Sequence, residues 1–331
     1  MPRFIDRLLA AKKWKTESFN LPAWMFESNS VLEARHAEIR QHLRRSTVLV
    51  IDNVARYYFQ HHTSPNGMDG PEEFPQLAPP FPSAFYEYKL EPSMYDAMFT
   101  DTENGRPRLL DTVGVLIHSV DAQQFRDEVP GLASSLEESR PGVSAKWVEL
   151  GTLFARNSAD RDVYGPCSMS MLAVGADGQA TSRMRGRAWG IADKCFDLLS
   201  EIQLRALGLV EGLILPAYLA TSFLHCRNVG TQEHAPPPKL DKAFHRRHGR
   251  PMVRFKTLTI EPMKEVLRKQ GQIEHQGLGK ALHLCRGHFK DYRNSAGLFG
   301  RHKGLFWWDL HARGDLGNGA VVKDYAIKLP Q

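Results

Sequence analysis

Hydrophobic and polar positions divide the chain into a helical start, a strand-rich middle and a mixed last third. Apolar positions near the N-terminus recur at helical spacing, with Phe4, Leu8 and Leu9 on one face. The segment STVLVIDNVARYYF, residues 46–59, is apolar at the same spacing. It is therefore predicted to form a further helix, which packs against a helix predicted through VLEARHAEIRQHLRR, residues 31–45.

A proline-rich segment at residues 63–82 separates the predicted helices from the strands. It holds six prolines, and proline removes a backbone donor and is incompatible with a helix interior. Phe74, Leu77 and Phe81 interrupt its polar residues. We therefore expect an ordered, extended wrap rather than a flexible linker.

Residues 84–185 carry β-branched and aromatic runs that are typical of strands, namely FYEYKL, TVGVLIHSV, KWVELGTLFAR and CSMSMLAV. A hairpin with its turn at Gly175–Gly178 is predicted after the last of these runs. Residues 189–226 then have the apolar pattern of two helices. Together these patterns predict one α+β domain over residues 1–230, in which N-terminal helices and a helix pair accompany a central, mostly antiparallel sheet.

The last part of the chain, residues 239–331, is predicted to form a separate basic module. Residues 228–238 are polar and end in three prolines, as expected of a linker. Beyond them lie four strand-like runs, MVRFKTLTI, KALHLCRGHF, LFWWDLHARG and AVVKDYAIKL, with one short helix that starts at Pro262. The predicted fold class is thus α+β throughout, with antiparallel strands and one helix in the C-terminal module.

Charge is distributed unevenly between these two parts. The 331-residue chain has a formal net charge of +6. Between Lys239 and Gly304, however, 16 Lys and Arg residues stand against 5 Asp and Glu residues, a local net charge of +11. A clustered positive field attracts phosphate without special geometry. Charge therefore predicts nucleic acid as a partner of this region, with a merely solvated basic surface as the alternative.

Cysteine usage and hydropathy indicate a cytoplasmic protein. Four cysteines without a CxxC pair are too few to staple a secreted domain, and the N-terminus lacks the unbroken apolar run of a signal peptide. One stretch, residues 206–224, approaches the length of a membrane span but contains Glu211 and Pro216. A buried helix pair is the preferred interpretation, and no membrane partner is expected.

Two strands of the last third carry the residues best suited to catalysis. Arg286 and His288 are two positions apart and therefore share one face of the first strand. His311 and Arg313 share one face of the second strand in the same way. If the strands pair, these four groups converge on a hollow of phosphate size. One histidine would accept the proton of a ribose 2′-hydroxyl and the other would protonate the leaving oxygen, while the arginines hold the phosphate. The alternative is that these side chains pair with nearby aspartates or loop carbonyls.

Further cations are candidates to grip a nucleic-acid backbone because they form two basic clusters. The candidates are Lys290, Arg293, Arg301 and Lys303 in the loop between the strands, and Arg246, Arg247 and Arg250 in the run AFHRRHGR. Each cluster is also compatible with a solvated turn.

A zinc site is the main alternative chemistry. His283, Cys285 and His288 offer ligands that zinc prefers, with His302 or His311 as a fourth. On a strand, however, His283 and Cys285 alternate to the face opposite His288, and no CxxC pair supports the site. We therefore predict no metal and no cofactor.

The segments LHLCRGHFKDY and HARGD, the latter followed by VVKDYAI, resemble an uncharacterised family found in bacteriophages and other bacterial mobile elements. That family is marked by an RGHF or RGHW segment and a later HxRG segment. The resemblance implies a mobile-element or defence context, but no established activity from which a catalytic role can be transferred. At fold level, the last third is also similar to small toxin ribonucleases built from a sheet and a flanking helix. The matching positions are Arg286, Gly287, His288, His311, Arg313 and Gly314.

These features predict a nucleic-acid-interacting protein of phage or mobile-element type. Its C-terminal module is expected to bind RNA in preference to DNA, and it is a candidate ribonuclease that uses metal-independent histidine acid–base chemistry. The alternative is a non-enzymatic protein that binds a host protein, as a regulator, an antagonist or a structural accessory. The proline-rich wrap and the helix pair around Glu211 would then supply the interaction surface.

Overall fold

The fold is that of a computed structural model, which describes most of the chain. The described residues are 2–14, 27–61, 63–64, 67–68, 70–91, 111–130, 136, 140, 142–156, 165–189, 212–261, 266, 281–285, 287–298, 300–308, 311–313 and 315–321.

Helices and strands alternate irregularly along these residues. The helices are α1 (Phe4–Ala10), α2 (Asn29–Arg45), α3 (Asp52–His61), α4 (Ala122–Glu128), α5 (Leu215–Leu224) and α6 (Pro238–His248). The strands are β1 (Thr47–Val50), β2 (Thr63–Ser64), β3 (Gly67–Met68), β4 (Ser83–Lys89), β5 (Thr112–Asp121), β6 (Ala145–Arg156), β7 (Pro166–Gly175), β8 (Arg185–Ala188), β9 (Val229–His234), β10 (Phe255–Ile260), β11 (Ala281–Cys285), β12 (His288–Asp291), β13 (Leu305–Trp308), β14 (His311–Arg313) and β15 (Asp315–Val321).

An eight-stranded mixed sheet forms the centre of the fold, in the order β8-β7-β6-β5-β4-β1-β10-β9. From β4 to β8, each strand runs antiparallel to the next, whereas β1 runs parallel to both β4 and β10. The β11 strand lies between β14 and β15, and β12 pairs with β13. The α+β class predicted from the sequence is confirmed.

The segment at residues 46–59 differs from its prediction. Its first half is the strand β1, and the helix α3 begins only at Asp52. Successive residues of a strand point to opposite faces, and Val48, Leu49 and Val50 are all buried. A parallel strand that is covered on both faces reads as a continuous apolar run rather than an alternating one. The predicted single helix was therefore wrong, since it rested on periodicity alone.

The two faces of the sheet bury different side chains. Along β4, Phe85 packs against Phe4 of α1 and against Phe154 of β6. Tyr88 of the same strand points to the opposite face, where its hydroxyl donates to the carbonyl of Leu213 at 2.6 Å. Helices α1 and α2 thus cover one face, and α3 and α5 cover the other.

The described part of the proline-rich segment packs closely on the protein. Phe74 is 3% exposed and Leu77 is fully buried. The Leu77 amide donates to the carbonyl of Gly178, in the turn after β7, and the Ser222 hydroxyl of α5 donates to the carbonyl of Gln76 at 2.7 Å. These contacts hold the segment in an extended path over the sheet and α5.

The chain divides into two compact units. One comprises residues 1–224 and 231–258, and the other comprises residues 225–230 and 259–331. Helix α6 and most of β10 belong to the first unit, whereas the linker composition placed them at the start of the C-terminal module. The reason is strand pairing, because Lys256 of β10 lies beside Leu49 of β1 in the large sheet.

Within the residues described above, no helix has the length and apolarity needed to cross a bilayer. Of the borderline stretch, α5 accounts for the last ten residues, and residues 206–211 lie outside the described part of the chain. The first helix of the pair predicted over residues 189–226 and the helix predicted to start at Pro262 also lie largely outside the described residues.

Candidate nucleic-acid interface

The two segments predicted to carry the catalytic residues pair with each other through the backbone. Strand β11 is antiparallel to β14, with Cys285 opposite His311. Strand β12 is antiparallel to β13, with His288 opposite Trp308. Both ladders keep the same register, so they are two stretches of one hairpin. The side-by-side arrangement expected of these segments is present.

The register does not set the two histidines opposite each other. His311 lies opposite Cys285, which precedes His288 by three residues, and Arg313 lies opposite His283. The side chains of His311 and Arg313, and the whole of Arg286, lie outside the described residues. Convergence of the four groups on one phosphate therefore stays a prediction.

Two of the cations predicted to grip a backbone are engaged within the hairpin. The Lys290 ammonium lies 4.1 Å from the centre of the Trp308 ring. The Arg293 guanidinium forms a two-pronged ion pair with Asp291, whose oxygens lie 2.6 and 3.0 Å from Arg293 nitrogens. This hydrogen-bonded pair lowers the pKa of Asp291. Arg293 is thus paired with a carboxylate, whereas Lys290 lies over an aromatic face, a combination that suits stacked bases beside a phosphate.

The remaining cations of the loop, Arg301 and Lys303, are exposed. They flank a tight turn in which Leu298 and His302 exchange both backbone hydrogen bonds at 3.1 Å. Within the part of the loop that the structure describes, neither Arg301 nor Lys303 forms an ion pair. Both are available to a phosphate.

Helix α6 carries the most one-sided cationic surface among the described elements. Phe244, 7% exposed, is its buried residue and fixes which face points inward. All of its basic side chains are exposed. They are Lys239, Lys242, His245, Arg246, Arg247 and His248.

Local sequence explains why α6 is held firmly. Pro238 occupies its first turn, where a missing N–H costs nothing. The Asp241 carboxylate accepts a hydrogen bond of 2.7 Å from the amide of Met252. Gly249 ends the helix in a left-handed conformation with φ of 70° that disfavours other residues. The cationic face therefore stands on a fixed support.

Arg250 has a different environment from the cations beside it. Its guanidinium donates to the carbonyl of Asp6 at 2.7 Å and lies 3.6 Å from the Asp6 carboxylate. Burial lowers the pKa of Arg250, and the side chain is only 24% exposed. The fully buried Asp6 also accepts from the amide of Val253 at 2.9 Å. Arg250 thus ties α1 to the segment after α6.

The exposed cations of α6 form a row. Lys239, Lys242 and Arg246 recur at i, i+3 and i+7, which places them along one side of the helix over about 10 Å. Arg247 flanks this row. Among the described residues, none of these four cations has an ion-pair partner. Arg246 and Arg247 were predicted as binding residues, whereas the two lysines were missed, although helical periodicity through Phe244 would have aligned them.

A second candidate site, which the sequence did not indicate, is a cleft of about 560 Å³ between α2, the end of β5 and α4. His42 and His118 stack on one another there, with ring centres 4.1 Å apart. Trp189 lines another side and stacks on His36, with ring centres 5.7 Å apart and planes 8° from parallel. A cleft of this size with flat, largely apolar walls is typical of small-molecule sites.

The histidines of this cleft are neutral at pH 7. Burial lowers the pKa of His118 to about 3, and burial also lowers the pKa of His42. The two residues lie 76 positions apart, one in a helix and the other in a strand. No sequence motif joins them, so only the packing of α2 on β5 could reveal the pair.

No group of three or more His, Cys, Asp or Glu side chains within the described ranges is placed to hold a metal ion. The side chains of His283 and Cys285, which belong to the alternative zinc site, lie outside those ranges. Comparisons with protein-family models, curated proteins and solved structures gave no match for the chain. Function is therefore inferred from the chain's own geometry.

Proposed function

We propose that this protein binds single-stranded RNA through the exposed cationic face of α6. The observation that carries the proposal is the row of Lys239, Lys242 and Arg246, flanked by Arg247, on a helix anchored by Phe244. Cations without carboxylate partners keep their full charge for phosphates and release counterions when a polyanion binds. The spacing of the row over about 10 Å allows contact with more than one phosphate of a flexible strand.

The β12–β13 hairpin supports a single strand over a duplex. Lys290 over the Trp308 ring joins a cation to an aromatic face, and exposed Arg301 and Lys303 lie in the same loop. Unpaired bases stack on aromatic rings while cations hold the backbone, and RNA is most often recognised in this single-stranded form. The resemblance of this hairpin to mobile-element proteins favours a phage or mobile-element role.

Salt dependence tests the proposal directly. Binding of a short labelled RNA is measured by fluorescence anisotropy between about 50 and 200 mM salt. Four phosphate contacts predict that a plot of the logarithm of the binding constant against the logarithm of the salt concentration has a slope of about −3. The double variant Lys242→Gln, Arg246→Gln should bind more weakly and with a slope less steep by about 1.4. A matched double variant, Arg126→Gln with Arg183→Gln, removes two exposed charges elsewhere and should keep the original slope. Equal effects of both pairs would reduce the interaction to general charge attraction and refute the α6 site.

Cleavage is the second part of the proposal. A 2′-hydroxyl attacks phosphorus as His288 or His311 takes its proton, the bond to the 5′ oxygen breaks, and the other histidine protonates that oxygen. The products would be a 2′,3′-cyclic phosphate and a 5′-hydroxyl, formed in the presence of a chelator. His288→Ala and His311→Ala should each abolish cleavage but leave binding at α6 intact. Persistence of cleavage in either variant excludes these roles.

A protein partner is the competing function, and the same preparation distinguishes it. Lysate proteins that remain bound after nuclease treatment, with no RNA affinity in the purified chain, would indicate a non-enzymatic binding protein.

A further inference from the structure

The cleft between α2, β5 and α4 has polar atoms that the protein itself leaves without partners. Within the described residues, the Nδ1 atom of His118, the hydroxyl of Ser119 and the indole nitrogen of Trp189 are buried and make no hydrogen bond. Buried polar groups are normally satisfied, and the exceptions call for an explanation. All three residues line the same cleft.

The shape of the cleft favours a flat ligand. Its floor and sides include Ile39, Phe125 and Trp189, all buried. The stacked imidazoles of His42 and His118 add a second planar surface. Rings gain most from contact with other rings in offset or edge-on packing, so an aromatic ligand uses these walls better than a branched aliphatic one.

Charge and hydrogen-bonding capacity narrow the chemistry further. The rim carries Glu38, Asp121 and Glu128 against a single cation, Arg35, so an anion such as a phosphate is disfavoured inside the cleft. An ammonium ion would suit the rim, but it offers only donors, and the Trp189 indole nitrogen is itself only a donor. A neutral ring with acceptors and donors along its edge is not repelled by the acidic rim and can accept the hydrogen bond that Trp189 offers.

We propose that this cleft binds a nucleobase, either in a free nucleoside or as an unstacked base of a bound strand. The ring stacks against the accessible parts of the aromatic walls, and its edge supplies partners for the Trp189 N–H, the Ser119 hydroxyl and the His118 Nδ1. Because these three atoms are covered in the structure, binding includes a small side-chain shift that turns them toward the cleft. The sugar points to the mouth beside Gln124, which is exposed. This site does not require the α6 face to bind RNA, so the two proposals stand or fall separately.

The experiment measures binding of the four ribonucleosides to the full chain by titration calorimetry. Benzoate and benzylamine serve as the anionic and the cationic ring controls. At least one nucleoside should bind more tightly than either control. Failure of every nucleoside to bind at millimolar concentration, or tighter binding of benzylamine, would overturn the proposal.

Helix α4 offers a matched pair of blocking variants. Gln124 lines the cleft and Gln123 does not, yet each donates a side-chain hydrogen bond to the carboxylate four residues later. Gln124→Trp should fill the mouth and reduce nucleoside affinity at least tenfold, whereas Gln123→Trp should leave it unchanged. Equal affinities in the two variants would mean that the nucleoside binds elsewhere.

A third variant tests the hydrogen-bonding edge. Trp189→Phe keeps an aromatic wall but removes the donor, and it should weaken binding by about two- to tenfold. Circular dichroism and thermal unfolding confirm that each variant folds. If Trp189→Phe binds as tightly as the parent chain, the proposed contact is wrong. Gln124→Trp is also tested with labelled RNA, to decide whether the base comes from a free nucleoside or from a bound strand. If the cleft takes a base of a bound strand, Gln124→Trp should weaken RNA binding. If it takes only a free nucleoside, RNA binding should not change.

Discussion

Glu149 should make the stability of this protein fall as the pH rises through neutrality. The residue lies in β6 with 1% exposure, and its Oε2 atom has no hydrogen-bond partner among the described residues. Burial raises the pKa of Glu149 from 4.5 to about 8. The folded chain therefore keeps a proton that the unfolded chain releases above pH 4.5 or so.

The size of the effect follows from this difference in pKa. Because the folded pKa is raised, the stabilisation is complete below the unfolded value of 4.5 and is lost progressively as the pH approaches about 8. Each unit of pKa difference corresponds to about 1.4 kcal/mol, so the full loss across the window is at most about 5 kcal/mol. That is a large part of the stability of an ordinary domain, about 5–15 kcal/mol.

Glu149→Gln isolates this contribution, since the amide has the shape of the protonated acid and cannot ionise. Urea unfolding of both chains at intervals from pH 5 to 8 gives the free energy of unfolding at each pH. The two chains should be nearly equal in stability at pH 5, and the variant should be increasingly more stable toward pH 8. Glu73→Gln, at an exposed site, should change nothing. Parallel curves for parent and Glu149→Gln would show that Glu149 is not held protonated, and would refute the reasoning.

Three further predictions concern stability. Burial lowers the pKa of His118 to about 3, so on acidification the unfolded chain takes up a proton at this residue before the folded chain does. The free energy of unfolding should therefore fall as the pH drops below about 6.5. In urea unfolding, His118→Gln should reduce this loss of stability at low pH. Asp6→Asn weakens the buried acceptor of the Val253 amide, and calorimetry should show a loss of about 1–3 kcal/mol. Gly178 and Gly249 both have positive φ, but only Gly178 is crowded, by a side chain that a Cβ would meet. Gly249→Ala and Gly178→Ala should each cost about 1 kcal/mol in the same assay, because the atoms that a Cβ at Gly178 would meet belong to the movable end of the Gln76 side chain. A clearly larger loss for Gly178→Ala would show that Gln76 cannot move aside.

Strand content was predictable because the signals are local. The runs that became β4, β5, β6 and β7 are rich in β-branched and aromatic residues over one strand length, and their class was clear before any contact was known. The pairing of the two segments around His288 and His311 was also expected, since strands that follow one another along the chain often pair.

The candidate site was only partly predictable. A charge excess between Lys239 and Gly304 is visible in the sequence, and it indicated a basic surface that includes Arg246 and Arg247. No local pattern indicated that Arg250 would pack against the buried Asp6, because that contact joins residues 244 positions apart. For the same reason, the stacking of His42 on His118 could not be foreseen.

Local sequence was enough to establish the α+β character and the basic cluster, because secondary-structure propensity and charge depend on a residue and its near neighbours. Tertiary structure alone decided that β1 is a strand between β4 and β10, that α6 turns its cations outward around Phe244, and that a cleft opens beside Trp189. Each of these depends on which distant segment covers a residue, and burial by a distant segment overrides local preference when the two disagree.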